Sequence, residues 1–241
     1  MKAIDGQAHI LKDNIRFCQS CREAGDTYTE LKDLAKEALA SGLGWEQDIS
    51  SGAFGKAVGK SAMLTYLSFV LLPLSYGILF DFLAGNLVAS FMQARTLLEQ
   101  LAKCFLADIE EMDESFFQER LRFIEKSRSI AKSVESLGLD ALQLWGKLSD
   151  DWVHMKRLEK LVTAVSQRGI PSYGIIVPIV YDTEDIPDTV ELNKCIRTLR
   201  GLLEDTVQRW NATSRYAANA DGKPYLKPRR QSREASEEPR F

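Results

Sequence analysis

Apolar residues recur at intervals of three and four along most of the chain, which is the spacing of one face of an amphipathic helix. The series nearest the N-terminus consists of Ile4, Ala8, Leu11, Ile15 and Cys18. Comparable series follow in later segments and predict an all-α fold, a helical bundle of about seven helices. We expect residues 1–210 to form one helical-bundle domain.

Turn and capping residues indicate where individual helices begin and end. Gly25 is expected to end the first helix and Asp26 to cap the second, which should end near Gly42. Ser149 precedes two aspartates, and this pattern predicts an N-cap followed by an acidic first turn. A further helix should therefore begin directly after Ser149.

Two segments depart from the helical pattern. Residues 172–181 have β character, but Pro178 removes a ladder hydrogen bond, so an extended loop or edge strand is expected there. Residues 211–241 are polar and contain three prolines, and six basic residues face three acidic ones from Gly222 onward. We expect this segment to be a disordered basic tail, with possible contacts to the phosphates of RNA.

The most apolar part of the chain lies in its middle, because residues 63–80 contain no charged side chain. A membrane-spanning helix needs about 20 apolar residues, so length alone does not decide between a span and a buried core. Pro73 lies in the middle of the run and small hydroxyl residues line one face. We expect residues 62–107 to form a buried helical hairpin without membrane contact. The alternative is a membrane-associated protein that inserts residues 63–92.

Composition narrows the possible classes of protein. The 241 residues carry a net charge of −3, which gives no overall basic field for nucleic acid. Four cysteines are too few and too scattered for a disulfide scaffold. The first residues, "MKAIDGQAHILKD", lack the apolar region of a secretory signal. We therefore expect a cytoplasmic protein.

Two motifs resemble cofactor or metal sites without completing them. In "GKAVGKS" only three residues separate Gly55 from Gly59, whereas a phosphate-binding loop of the Walker type needs four. Cys18 and Cys21 have the spacing of a zinc or redox pair, but the sequence offers no second pair to complete four ligands. We expect neither a cofactor nor a metal.

Candidate site residues lie on two helices. Arg95 and Glu99 are four residues apart and so share a helical face directly after the apolar run. If this pair is buried, each charge must be paired, and the pair would then orient a neighbouring group or line a polar pocket. His154 lies at the edge of an apolar arc, where its protonation is tunable near neutral pH.

The stretches "ARTLLEQ" and "LSDDWVH" carry a family resemblance. Together with the apolar stretch before them, they resemble the HEPN-type helical proteins (higher eukaryotes and prokaryotes nucleotide-binding) over roughly residues 60–210. The resemblance implies a helical bundle, often dimeric. Many such proteins cleave RNA without metal, through an arginine and a histidine separated by four to six residues.

That arginine–histidine pattern is absent around His154. The nearest upstream base, Lys147, is seven residues away, and Arg157 follows the histidine. We therefore expect a non-catalytic module for RNA, nucleotide or a protein partner, forming a homodimer. The expected binding residues are Arg95, Glu99, Ser149, His154 and Arg157. The alternative is a metal-independent ribonuclease in which His154 acts as base or acid, Arg95 as the cation and Glu99 as its orienting group.

Overall fold

The computed structural model describes residues 2–49, 61–110, 117–150, 180–213, 216–218 and 224–226. This part of the chain is a bundle of α-helices, which confirms the predicted all-α class. In chain order the helices are α1 Lys2–Ser20, α2 Arg22–Ile49, α3 Ala62–Thr65, α4 Leu71–Leu83, α5 Leu87–Ile109, α6 Phe117–Ser127, α7 Ile130–Glu135, α8 Leu139–Leu148 and α9 Ile186–Thr213. A π-helical turn, Tyr66–Val70, joins α3 to α4, and a 3₁₀ turn, Thr183–Asp185, precedes α9.

Helix α5 lies at the centre of the bundle. It packs against α3, α4, α6, α7, α8 and α9. Its leucine, alanine and phenylalanine side chains supply much of the buried core. Helix α2 packs against both α4 and α9, and α1 packs on α2. The described helices thus bury apolar side chains against their neighbours, as amphipathic helices of a globular domain do.

The first two helices have different ends from those predicted. The break falls at Cys21, and Gly25 lies inside α2, where its backbone N–H donates to the Cys21 carbonyl. A Cβ at position 25 would lie only 2.7 Å from the carbonyl oxygen of Cys18, so the glycine permits a close approach of the chain. The predicted cap at Asp26 and the predicted end at Gly42 are both wrong, because α2 runs through them to Ile49.

The α4–α5 hairpin confirms the expected hairpin over residues 62–107. Its turn is built by Gly85, whose φ of 77° suits a residue without a Cβ. The N–H groups of Gly85 and Asn86 donate to the carbonyls of Phe82 and Asp81, which satisfies the last orphan acceptors of α4. The Asn86 side chain then accepts a hydrogen bond from the Ala89 N–H and caps α5.

Pro73 does not break α4. A proline in a helix removes one hydrogen bond and clashes with the carbonyl four residues earlier, here that of Phe69. Phe69 lies in the π-helical turn, in which the Leu71 N–H donates to the Tyr66 carbonyl five residues back. The wider turn just upstream of Pro73 is the place where the helix absorbs the proline.

The hairpin is buried on one face only. Ile78 and Phe82 of α4 are fully buried, whereas Phe69 and Phe80 are exposed. Ala62–Leu83 is also the one described helical stretch long and apolar enough to cross a membrane, and 39% of its most apolar window is buried. The expectation that neighbouring helices enclose the whole hairpin is therefore only partly correct.

Tyr181 closes the bundle at the end of α4. Its hydroxyl donates to the Phe82 carbonyl at 2.6 Å, and its N–H donates to the side chain of Asn14 at 2.8 Å. Asn14 in turn donates to the Leu83 carbonyl at 3.0 Å. This segment enters α9 without a strand, although most of the predicted extended segment, residues 172–179, lies outside the described residues.

The last described helix and a short β-hairpin lie at the C-terminal end of the described residues. Helix α9 continues to Thr213, past the expected end of the domain at residue 210. Strands β1, Tyr216–Ala218, and β2, Pro224–Leu226, then pair antiparallel within the segment predicted to be disordered. The domain end at residue 210 and the disordered basic tail stay predictions. The other residues after Thr213 lie outside the described residues.

Candidate functional site

Arg95 and Glu99 form the ion pair that their spacing predicts. The Arg95 Nε donates to the Glu99 Oε1 at 2.8 Å, one turn along α5. The two side chains are 20% and 16% exposed, so the pair lies at the edge of the core in contact with solvent. A pair at this depth is screened less than a surface pair and is still open to a ligand.

A third residue, Trp145 of α8, joins this pair. Its indole Nε1 donates to the same Glu99 oxygen at 2.7 Å, and the Arg95 guanidinium carbon lies 5.4 Å from the centroid of its ring. At this distance the cation is attracted to the face of the aromatic ring. We call these three residues the Arg95 cluster. It holds α8 against α5 and fixes the arginine on two sides.

The Arg95 cluster leaves part of the guanidinium outside its internal contacts. The bond to Glu99 uses Nε, so neither Nη1 nor Nη2 takes part in it. These two nitrogens form the fork that binds carboxylate and phosphate groups with two parallel hydrogen bonds. The arrangement is therefore suited to an anionic ligand that approaches from the solvent side of Arg95.

Ser149 has a different role from the one predicted. Its backbone is helical, with φ −73° and ψ −50°, and its hydroxyl donates to the Trp145 carbonyl at 2.7 Å. It therefore continues the end of α8 and does not cap a new helix. It is buried, and among the described residues its hydroxyl is linked to the Arg95 cluster through the Trp145 carbonyl.

The other two predicted binding residues, His154 and Arg157, lie outside the described residues. The structure therefore brings together Arg95 and Glu99 of the predicted set, with Ser149 next to Trp145. A shared site of His154 and Arg95 stays a prediction, as does the ribonuclease hypothesis that depends on it.

A second arginine–carboxylate pair, missed by the sequence analysis, lies inside the core. Asp108 at the end of α5 and Arg120 of α6 meet at 3.1 Å, with side chains 0% and 1% exposed. Asp108 also accepts from four other donors, namely the Ser61 hydroxyl, the Ala62 and Met63 N–H groups and the Trp210 indole.

Burial raises the pKa of Asp108, whereas its donors favour the ionised form. The Asp108–Arg120 pair ties the start of α3 to α5, α6 and α9. Its many donors identify it as a structural pair, because its carboxylate oxygens are already bonded within the protein.

The cysteines of the near-miss motif, Cys18 and Cys21, are free thiols at the junction of α1 and α2. Burial raises the pKa of the Cys18 thiol to about 11, so it is protonated at neutral pH. Cys21 is half-buried at the break between α1 and α2. Among the described residues, no group of three or more His, Cys, Asp and Glu side chains is placed to hold a metal ion.

A groove of about 300 Å³ lies between α8 and α9. Its charged lining residues are Asp140, Lys147, Glu191 and Lys194, two acids and two bases. Lys147 pairs with Glu191 across the groove. Because the charges balance, the groove favours neither anions nor cations, and the Arg95 cluster remains the better-defined candidate site.

No family model, no curated protein and no solved structure matches this chain. The HEPN resemblance of "ARTLLEQ" and "LSDDWVH" therefore stays a prediction.

Proposed function

We propose that the protein is a HEPN-like, non-catalytic helical binding module whose Arg95 cluster binds a phosphate group of RNA or of a nucleotide. The observation that supports this most directly is a half-buried guanidinium that Glu99 and Trp145 hold in place while both Nη groups stay outside those contacts. RNA and nucleotide share the phosphate chemistry that such a guanidinium recognises.

The Arg95 side chain is already ordered before a ligand binds, whereas an arginine side chain on the protein surface is flexible. A flexible side chain loses rotamer freedom when it is immobilised by a ligand, at a cost of about 0.5–1.5 kcal/mol. For Arg95 much of that ordering is already present in the unbound protein, because its Nε and its ring contact are fixed. More of the gain from a phosphate contact therefore appears as affinity.

The Arg95 cluster offers binding groups without an obvious proton-transfer group. Glu99 accepts hydrogen bonds from both Arg95 and Trp145, so it holds these side chains in position. General acid–base catalysis needs a group within hydrogen-bond reach of the proton that it moves. In the alternative hypothesis His154 supplies that group, and the experiment below separates the two.

The experiment measures binding of a short, fluorescently labelled single-stranded RNA of mixed sequence in EDTA, by anisotropy, with ATP as competitor. Arg95→Ala should weaken binding by about tenfold or more, because a hydrogen bond to a charged group contributes about 1.5–3 kcal/mol. The matched control is Arg197→Ala. Arg197 is 63% exposed and paired with Glu30, and its loss should leave affinity unchanged.

Three outcomes are informative. Equal affinity of the wild-type protein and the Arg95→Ala variant would reject the proposed site, as would no binding to either RNA or ATP. Cleavage of the RNA in EDTA that disappears in the His154→Ala variant would favour the ribonuclease. Circular dichroism of each variant shows that a loss of binding is not a loss of fold.

A further inference from the structure

Two of the four cysteines lie one helical turn apart at the place where α1 meets α2. Cys18 belongs to the last turn of α1, and Cys21 is the residue between the two helices. Both are free thiols. Cys18 is buried in the core, and Cys21 is half-buried against the same core. We call these two residues the thiol pair.

The backbone places the thiol pair at the separation that a disulfide needs. The Cys21 N–H donates to the Phe17 carbonyl at 2.8 Å, so residues 17–21 form a complete helical turn. In such a turn, Cα atoms three residues apart lie about 5 Å from each other. The Cα atoms of disulfide-bonded cysteines are usually about 4.4–6.8 Å apart. A bond between the two sulfurs therefore requires no large movement of the backbone.

The chain bends sharply at the thiol pair. In a straight helix, residues seven apart are separated by about 10 Å along the axis. Here a Cβ at position 25 would lie only 2.7 Å from the carbonyl oxygen of Cys18, so the chain turns between these two positions, and Cys21 lies at the turn. The Cys21 side chain is thus not restricted to the directions that a regular helix imposes.

The two thiols differ in how they can react. Burial raises the pKa of the Cys18 thiol to about 11, with a smaller contribution from the neighbouring Cys21. The attacking species in disulfide exchange is the thiolate, so Cys18 is a poor nucleophile towards a reagent from solvent. The Cys21 thiol donates to the exposed side chain of Glu23 at 3.4 Å and so lies at the surface. Cys21 is therefore the thiol that an oxidant reaches first.

We propose that the thiol pair is a redox-sensitive switch that closes to a Cys18–Cys21 disulfide when a small disulfide such as oxidised glutathione is in excess. The Cys21 thiolate attacks one sulfur of oxidised glutathione, and a mixed disulfide forms while one glutathione leaves as its thiolate. The Cys18 sulfur then attacks the Cys21 sulfur, and the second glutathione leaves. The protein loses two electrons and two protons, which the oxidant gains as it becomes two molecules of reduced glutathione.

The second step does not require Cys18 to meet a reagent from solvent, because it takes place within the chain. Two reacting groups held next to each other have an effective concentration far above that of any dissolved thiol. A disulfide stabilises a protein more as the loop that it closes becomes longer, and this loop has only four residues. An excess of dithiol should therefore open it again, so the thiol pair works as a reversible switch.

The switch does not depend on the proposed function. The Arg95 cluster lies on α5 and α8, whereas the thiol pair lies at the junction of α1 and α2. Cys21→Ala should therefore bind RNA like the wild-type protein, and Arg95→Ala should form the disulfide like the wild-type protein. Loss of RNA binding and loss of disulfide formation are separate results.

The first test oxidises the folded protein in buffers with a rising ratio of oxidised to reduced glutathione. Acid stops the exchange, and the free thiols are then alkylated in denaturant. Mass spectrometry should show two of the four cysteines protected, and peptide mapping should place the disulfide between Cys18 and Cys21. The buried Cys104 and Cys195 should stay reduced. Dithiothreitol should restore four free thiols, and circular dichroism shows that the oxidised protein is still folded.

The second test separates the roles of the two thiols. Cys18→Ala should stop the reaction after its first step, so that Cys21 accumulates as a mixed disulfide with glutathione. Cys21→Ala should leave Cys18 reduced, with at least tenfold less bound glutathione than in the Cys18→Ala variant. The matched control is Cys195→Ala, which removes another buried thiol and should form the Cys18–Cys21 disulfide like the wild-type protein.

Three results would overturn the proposal. A wild-type protein that keeps four free thiols at every glutathione ratio has no such switch. A mixed disulfide at Cys21 that persists in the wild-type protein would mean that Cys18 does not reach it. Equal amounts of bound glutathione in the Cys18→Ala and Cys21→Ala variants would contradict the assigned order of attack.

Discussion

The two arginine–carboxylate pairs of this protein differ in depth and in how completely they are satisfied. Asp108 and Arg120 are fully buried, and the carboxylate accepts hydrogen bonds from four further donors. Arg95 and Glu99 are about one-fifth exposed, and their contacts leave the Arg95 Nη groups outside. One pair is closed within the core, whereas the other is open on one side.

Because of this difference, we expect one pair to stabilise the fold and the other to bind a ligand. Removing one member of a buried pair leaves an uncompensated charge in the core, so the Asp108–Arg120 pair should matter mainly for folding. A partly exposed pair contributes less to stability because solvent screens it. The Arg95 cluster should therefore matter mainly for the ligand.

The largest effect is expected from Asp108→Asn. The variant removes the carboxylate charge that faces Arg120 inside the core and should lower the free energy of unfolding by about 3–5 kcal/mol. Urea denaturation followed by circular dichroism measures this. Asp33→Asn is the control, because Asp33 pairs with Lys36 on the surface and its loss should cost less than about 0.5 kcal/mol. If Asp108→Asn and Asp33→Asn are equally stable, the Asp108–Arg120 pair has no special role in folding.

A smaller loss of stability is expected from Glu99→Gln. The amide still accepts a hydrogen bond, but it no longer carries the charge that holds both Arg95 and Trp145. The free energy of unfolding should fall by about 1.5 kcal/mol. Glu125→Gln serves as control, since Glu125 is mostly exposed in its pair with Lys103 and should change stability by less than about 0.5 kcal/mol. If both substitutions have the same effect, the Arg95 cluster is an ordinary surface contact.

Arg95→Lys should separate ligand binding from stability. Lysine keeps the positive charge but lacks the planar fork, so RNA affinity should fall several-fold while the free energy of unfolding changes by less than about 1 kcal/mol. Anisotropy and urea denaturation of the same preparation give both values. A variant that loses stability and keeps its affinity would assign Arg95 to the structure.

The smallest effect concerns Asp81, whose carboxylate is bonded to the neutral amide of Gln93 and not to an arginine. Burial raises the pKa of Asp81, and Gln93 only partly offsets this. Because the native carboxyl keeps its proton to a higher pH than the unfolded one, stability falls as pH rises through the window above its ordinary value.

Asp81→Asn should therefore raise the free energy of unfolding at pH 7, by at most about 0.5 kcal/mol for a group this exposed. The difference should disappear at about pH 2.5, well below the ordinary aspartate pKa of about 3.9, where the unfolded carboxyl is also protonated. Thermal melts of the variant and the wild-type protein at both pH values test this. A variant that is less stable at pH 7 would contradict the assigned direction.

Most of the fold could be predicted because the apolar spacing that specifies a helix is visible within a short stretch of sequence. The uncharged run of residues 63–80 predicted the central hairpin, and the Gly85-Asn86 pair carries a turn signal at the place where the hairpin reverses. The break at Cys21 could not be predicted from local pattern, since Gly25 is the stronger helix breaker. At this break the Cys18 carbonyl oxygen lies 2.7 Å from where a Cβ of residue 25 would stand, a close approach that the local pattern does not predict.

The candidate site likewise contains residues that local spacing predicts and residues that only the packing of the helices brings together. Arg95 and Glu99 were found because a spacing of four places them together on any helix. Trp145 is separated from Glu99 by 46 positions and is brought to it only by packing of α8 on α5. Asp108 resembles other acids near a helix end, and its link to Ser61 likewise crosses 47 positions. One sequence signal could have indicated a contact of Trp145, because a half-buried tryptophan needs a partner for its indole N–H.

The most direct test uses the two tryptophans that donate to these carboxylates. Trp145 donates to Glu99 and Trp210 donates to Asp108, so their indole N–H resonances report on the open pair and on the closed pair separately. Trp145→Phe and Trp210→Phe assign the two signals in a ¹⁵N spectrum. On titration with single-stranded RNA in EDTA, the Trp145 signal should shift to saturation while the Trp210 signal stays in place. A Trp145 signal that does not move, or two signals that move alike, would contradict the assignment of the Arg95 cluster as the binding site.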